Sequence, residues 1–163
     1  LPLLSYSPMR MHRMTIDSIG QMKRQESFSV SILTKESQPL FETQLSQRGS
    51  RFTGFCWKAR EKALQEGRYF GIIENDEIAA TAFISDIDSG AGNLVVSTKS
   101  KYRRKGYGKA VVARATEWCF ENEIRPIYLV AVANTPSVKL AEGLGFETKS
   151  EEIVVSGYIG TNV

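Results

Sequence analysis

Through FSVSILTKES apolar and polar residues alternate, and this two-residue period predicts a strand over Phe28–Ser37. QPLFETQLSQ then sets Leu40, Phe41 and Leu45 at helical spacing, and GFCWKAREKALQEG reads as a second helix stopped by Gly67. RYFGIIENDEIAATAFISDID predicts a hairpin, two apolar runs joined by Asn75-Asp76, and GNLVVSTKS predicts the next strand. A helical pattern runs from Tyr107 to Asn122, with Val111, Ala115, Trp118 and Cys119 on one stripe. RPIYLVAVAN is nearly all apolar, as expected of a strand buried on both faces. TPSVKLAEG predicts a short helix with Thr135 as N-cap, Pro136 in the first helical position and Gly143 as its end. GFETKSEEIVVSGYIG predicts a last strand or hairpin.

The resulting order, βαα-βββ-αβ-αβ, is a mixed α/β layout in one domain over residues 26–163. Residues 1–25 show no clear period and read as an N-terminal extension or the end of a preceding segment. The first residue is Leu1, which suggests that a longer chain precedes it.

Composition narrows the function classes. At 42% hydrophobic and 24% charged, the chain has enough apolar material for a core and too little net charge for disorder. The formal net charge of +3 does not by itself point to nucleic acid. No apolar run approaches membrane-spanning length, and the opening residues are too short and polar for a signal peptide. Two scattered cysteines, Cys56 and Cys119, read as thiols of a reducing cytoplasm rather than a disulfide framework. With His12 as the single histidine, in a segment read as peripheral, no ordinary zinc site or histidine-based triad is expected.

The chemistry concentrates at KSKYRRKGYGK. Lys99, Lys101, Arg103, Arg104, Lys105 and Lys109 surround Gly106 and Gly108 between a predicted strand and a predicted helix. A helix start carries unpaired N–H groups and partial positive charge, and glycines let a ligand approach that backbone. Such a device suits phosphates. A Walker loop is excluded, because Arg103 stands where its first glycine belongs and Ala110 where its hydroxyl belongs. A dinucleotide fingerprint fails at Val111, where the third glycine is required. Nucleic acid is not the expected partner, since only Tyr102 and Tyr107 are available for stacking.

Arg103-Arg104-Lys105-Gly106-Tyr107-Gly108 resembles the (Gln/Arg)-x-x-Gly-x-(Gly/Ala) signature of the GCN5-related N-acetyltransferases, the GNAT superfamily. NTPSVKLAEGLGFE resembles the later motif of that family, with Asn134, Ser137, Leu140, Gly145 and Phe146 in register. The resemblance implies a mixed, partly splayed central sheet flanked by helices. It implies an acetyl-coenzyme A-dependent N-acetyltransferase that passes an acetyl group to the amine of a small molecule or peptide by direct attack. The expected coenzyme positions are Val96 and Thr98 on the strand, Arg103 to Lys109 in the turn, and Asn134 and Ser137 on the opposite wall. No metal is expected, and a homodimer is allowed for.

One departure bears on mechanism. Many members of the family carry a tyrosine, placed to protonate the departing thiolate, where this chain has Ala141. Ser137 is then a candidate to hydrogen-bond the sulfur, directly or through water; the alternatives are that it only belongs to the first turn of its helix and that water or no protein group serves the sulfur. Asp86, Asp88 and Glu142 are weaker candidates for a base, with water as an alternative. Trp57, Tyr69 and Phe70 either line an acceptor pocket or belong to the core. The other reading that Ala141 leaves open is a non-catalytic acyl-coenzyme A-binding or interaction module on the same fold.

Overall fold

The computed structural model describes residues 4–23, 26–41 and 60–159. Seven strands form one sheet: β1 (Leu4–Thr15), β2 (Ser31–Ile32), β3 (Tyr69–Glu74), β4 (Glu77–Asp88), β5 (Ala91–Thr98), β6 (Arg125–Ala131) and β7 (Glu147–Ile159). Their spatial order is β2-β3-β4-β5-β6-β1-β7, and only β5 and β6 run parallel. Two helices, α1 (Tyr107–Glu121) and α2 (Thr135–Leu144), follow β5 and β6.

The expected β3–β4 hairpin is present. Asn75 and Asp76 both take positive φ, 52° and 58°, the conformation whose twist matches that of the strands it joins. Ser89 and Gly90 repeat the device between β4 and β5. Along β4, Ile78 to Ile84 are buried without a break, because the strand is covered on both faces. Phe83 joins one core with Leu33, Phe41, Ala63, Leu64, Tyr69 and Ile78, beneath the helical residues 38–41 and 60–65. Its neighbour Ile84 points to the opposite core, built largely from α1, α2 and the other face of the sheet. Tyr69 and Phe70 are both core residues, Tyr69 stacked on Phe83 at 4.5 Å. Trp57 and Cys56, with most of the two helices expected before β3, lie outside the described residues.

Three expectations change. The strand over Phe28–Ser37 shortens to β2, because Lys35–Ser37 form a 3-10 turn held by the Ser37 hydroxyl accepting from the Thr34 N–H at 3.2 Å. Phe28 meanwhile packs edge-on against Tyr107 at 5.0 Å. The N-cap of α2 is Asn134 rather than Thr135, its side chain accepting the Ser137 N–H at 3.3 Å. The helix runs past Gly143 to Leu144 and ends on Gly145, whose φ of 104° supplies the left-handed cap. A Cβ at Gly145 would stand 2.5 Å from the Gln21 carbonyl, so this glycine also lets the segment after β1 close over the helix end.

The largest departure is β1. Residues 4–15, without clear pattern in the sequence, form a strand threaded between β6 and β7. Met11–Thr15 pair with Ile127–Ala131 on one side, and Leu4–Thr15 pair with Glu147–Ile159 on the other. His12 is therefore in the sheet rather than peripheral, its Nδ1 3.8 Å from Glu151.

Candidate active site: a split sheet over a glycine turn

β5 and β6 stay together for three residue pairs, the last being Asn93 with Ile127, and then diverge. Beyond that point, among the described residues, β5 keeps only β4 as a partner and β6 only β1. Backbone direction in β5 follows from the bond between the Lys99 N–H and the Ala79 carbonyl, 2.9 Å. Hydrogen-bonded pairs alternate along an antiparallel ladder, so Ser97 and Val95 turn their backbone groups to β4. Val96 and Thr98 then face the split with N–H and C=O free of ladder partners. A ligand with amide groups can lie there as an added strand.

At the end of β5 the chain makes a 3-10 turn over Ser100–Tyr102 and reaches α1 through Gly106, with φ 84° and ψ 2°. The N–H groups of Tyr107, Gly108 and Lys109 have no acceptor within their own helix, whose ladder starts with Ala110 N–H bonding the Gly106 carbonyl at 3.1 Å. Gly108 sits in a three-way junction. A Cβ there would stand 2.9 Å from Leu140 Cδ1 and 3.2 Å from Thr98 Oγ1, so glycine lets the end of β5, the start of α1 and α2 meet. A Cβ at Gly106 would press on the Phe28 ring at 3.2 Å.

The basic cluster is partly neutralised from the β3–β4 hairpin. Glu77 takes Lys99 at 2.8 Å, Lys101 and the Tyr102 hydroxyl at 2.7 Å. Those donors, Lys101 foremost, pull its carboxyl down to about 2. Glu74 accepts the Tyr107 hydroxyl and lies 3.8 Å from Lys105. The Lys109 ammonium lies along α2, where a Cβ on Gly143 would come within 2.7 Å of it. Arg103 and Arg104 are exposed, and among the described residues neither has a carboxylate partner. The charge left for an anion beside the helix start is therefore that of Arg103, Arg104 and Lys109, since among the described residues Lys109 has no carboxylate partner either.

Across the split, Asn134 and Ser137 lie at the start of α2, and the Ser137 hydroxyl is 2.8 Å from the Tyr128 hydroxyl. Sequence reasoning took Tyr128 only as part of an apolar wall; its one signal is a lone hydroxyl inside PIYLVAVAN. Ala141 is 0% exposed, packed inside the core below this point. Asp86 and Asp88 lie on the exposed end of β4, hydrogen-bonded by Ser85 and Ser89 at 3.1 Å each, and Glu142 is exposed on α2. Burial pushes the Cys119 thiol up to about 12, which leaves it no nucleophile. Among the described residues no group of histidine, cysteine and carboxylate side chains is arranged to hold a metal ion, and no helix is long and apolar enough to cross a membrane.

A split parallel pair over an anion-receptive helix start is the arrangement that the resemblance implied, and the comparisons agree on the family. The model of the acetyltransferase (GNAT) family matches residues 31–146, so this chain belongs to that family. Among curated proteins it is similar to the uncharacterized N-acetyltransferase YdfB of Bacillus subtilis (strain 168), 24% identical over 95 residues, which are 58% of this chain and 36% of that protein. Its fold matches a GNAT-family acetyltransferase from Colwellia psychrerythraea, with a TM-score of 0.73 and 14% identity over 96% of this chain and 57% of the other. It also matches AAC(6')-Iy, solved in complex with the bisubstrate analog CoA-S-monomethyl-acetylneamine, with a TM-score of 0.62 and 19% identity over 77% of this chain and 94% of that one. At these identities the structural likeness establishes the fold. The chain spans about a third of the curated relative's length and somewhat over half of the Colwellia protein's.

Proposed function

We propose that this chain is an acetyl-coenzyme A-dependent N-acetyltransferase acting on the amine of a small molecule or peptide. The observation that carries the reading is the split itself, with Val96 and Thr98 presenting free backbone groups and the α1 start at its end. Coenzyme A has matching parts. Its pyrophosphate suits the N–H groups of Tyr107, Gly108 and Lys109 with Arg103 and Arg104 beside them. Its pantetheine amides suit the open edge of β5, and the thioester would then lie toward the crotch of the split, near Ser137.

The reaction needs a neutral amine at the thioester carbonyl, donors for the oxyanion and an outlet for the sulfur. Backbone N–H groups on the open edge of β5 can serve the oxyanion. A free thiol titrates near 8.5, about seven units below water, so thiolate is a good leaving group that asks for little acid assistance. The acceptor's proton leaves through water or an exposed carboxylate. The buried Ala141 supports a second reading, an acyl-coenzyme A-binding module without turnover, because no phenol is offered from that position.

The test has two parts. Saturating acetyl-coenzyme A should raise the unfolding temperature, since a ligand at about one hundred times its Kd adds about 2.7 kcal/mol. Thiol release with a panel of polyamines, aminoglycosides and peptide amines should then show turnover. Binding without turnover on any amine would favour the second reading, and no binding would defeat both.

A further inference from the structure

Tyr128 is the first residue of β6 beyond the last pair with β5, so it stands at the crotch of the split. Its ring is 2% exposed and packs on Phe146 at 5.8 Å. A buried phenol must give its hydrogen to an acceptor. Among the described residues its one hydrogen-bond partner is the Ser137 hydroxyl at 2.8 Å; either oxygen could donate across that distance, and we assign the donor to Tyr128 because it is buried with no other acceptor while Ser137 has an open side. Burial also pushes the phenol up from its ordinary value, which keeps it protonated.

That assignment fixes the serine's own hydrogen. It cannot return to Tyr128. A helical serine often turns to the carbonyl four residues earlier. Here that is Ala133, which already accepts the Thr135 N–H at 3.0 Å and has no bond from Ser137. The Ser137 N–H is meanwhile held by Asn134 Oδ1, which fixes the helix turn that carries it. Ser137 is only half-buried, and its hydrogen is left to the open side.

We propose that Tyr128 is a positioning residue for acyl transfer: by donating to Ser137 it aims the serine hydrogen into the split, onto the sulfur that leaves the thioester. The inference rests on the acetyl-coenzyme A reading above. In the step, the amine lone pair forms the C–N bond and the carbonyl electrons move to oxygen. When they return, the C–S bond breaks and its electron pair stays on sulfur. The proton that sulfur finally carries comes from the attacking nitrogen through water. Ser137 supplies a hydrogen bond that strengthens as charge gathers on sulfur. Neither hydroxyl ends ionised, as the buried position of Tyr128 requires. Ala141 has no part in it, and the phenol instead comes from the neighbouring strand, acting through one serine.

The experiment compares wild type, Tyr128→Phe, Ser137→Ala and the double variant, by calorimetric titration with acetyl-coenzyme A and by thiol release with the fastest amine of the panel. Tyr128→Phe removes one oxygen and keeps the ring against Phe146. Each single change should lower kcat about tenfold, the worth of one hydrogen bond felt in the transition state. The KM for acetyl-coenzyme A should stay within about twofold, as expected for an interaction made only in the transition state. The double variant should be no slower than Ser137→Ala, because Tyr128 acts through the serine. A purely structural tyrosine would instead lower the unfolding midpoint and leave kcat at saturating acetyl-coenzyme A unchanged. Full kcat in either single variant, or a double variant slowed by the product of the two, overturns the inference while the acetyltransferase reading stands. A wild-type protein that fails to bind acetyl-coenzyme A, or turns over no amine, overturns both.

Discussion

Gly108 and Leu140 touch across the junction of α1 and α2, so closely that one added carbon on the glycine would come within 2.9 Å of the leucine Cδ1. This contact joins the two stretches that first suggested the family, and it gives the second glycine of the turn a packing role as well as an expected ligand-facing one. Gly108→Ala should therefore destabilise the fold by about 1–3 kcal/mol through overpacking. In a Leu140→Ala background the same change should cost less, since the obstructing methyl is gone. Urea unfolding of the four proteins measures this, and an equal cost in both backgrounds would mean that the leucine is not the obstacle.

The cations of the turn should divide into two groups. Replacing both Arg103 and Arg104 by Ala should weaken acetyl-coenzyme A binding about tenfold or more at low salt, with the loss shrinking at high salt. Lys101→Ala should leave affinity nearly unchanged, because its ammonium is engaged by Glu77. Titration at two salt concentrations checks both. Equal losses from Lys101 and from the arginines would show that the Glu77 pairing does not withhold charge from the ligand.

Glu77 also makes stability depend on pH. Its folded-state value, about 2, lies below the ordinary 4.5, so the folded protein binds the proton less readily than the unfolded chain does. The stabilisation is complete above 4.5 and is lost as pH falls through that value toward 2. Glu77→Gln should lower the urea midpoint at neutral pH, and the gap to wild type should close on acidification through that window. A gap of constant size down to pH ~2 would show that ionisation of Glu77 is not what stabilises the hairpin.

Ala141→Tyr is the obvious attempt to restore the family's phenol, and it should fail. Ala141 has no exposed surface, and a tyrosine there must displace core atoms at a cost of more than about 1–3 kcal/mol. The expected result is a lower melting temperature with no gain in thiol release. A stable Ala141→Tyr protein with raised kcat would reveal room for a phenol beside the sulfur that the packing does not show.

What could be read along the chain was what is local. Asn75-Asp76 fixes its hairpin within four residues, and the two motifs carry their glycines and the N-terminal signals of α2 with them. The cap of α2 moved by one residue because Asn134 and Thr135 are both good caps, and only the bond to the Ser137 N–H decides between them. What stayed hidden joins distant residues. Glu77 and Glu74 look like ordinary turn carboxylates until the hairpin is laid beside the basic loop 22 to 33 residues further on. Tyr128 looks like wall material until α2 folds back over it. β1 was the least legible, since Met9, Met11 and Met14 do not keep one alternation past the irregularity between Arg13 and Met14. Nothing near it in sequence could say what it pairs with.

The threading of β1 between β6 and β7 has a consequence for the order in which the molecule is made. Met11 must find Ala131 and Thr15 must find Glu147, partners that leave the ribosome long after it. At about 5–20 residues per second that is a wait of roughly ten seconds with both edges of the strand open. Arg10, His12 and Arg13 set among its methionines make the waiting strand a poor template for a second copy of itself. Until β7 is made, the half of the sheet that holds Tyr128 lacks its outer strands, so the split proposed to take the thioester should form only after residue 159 has left the ribosome.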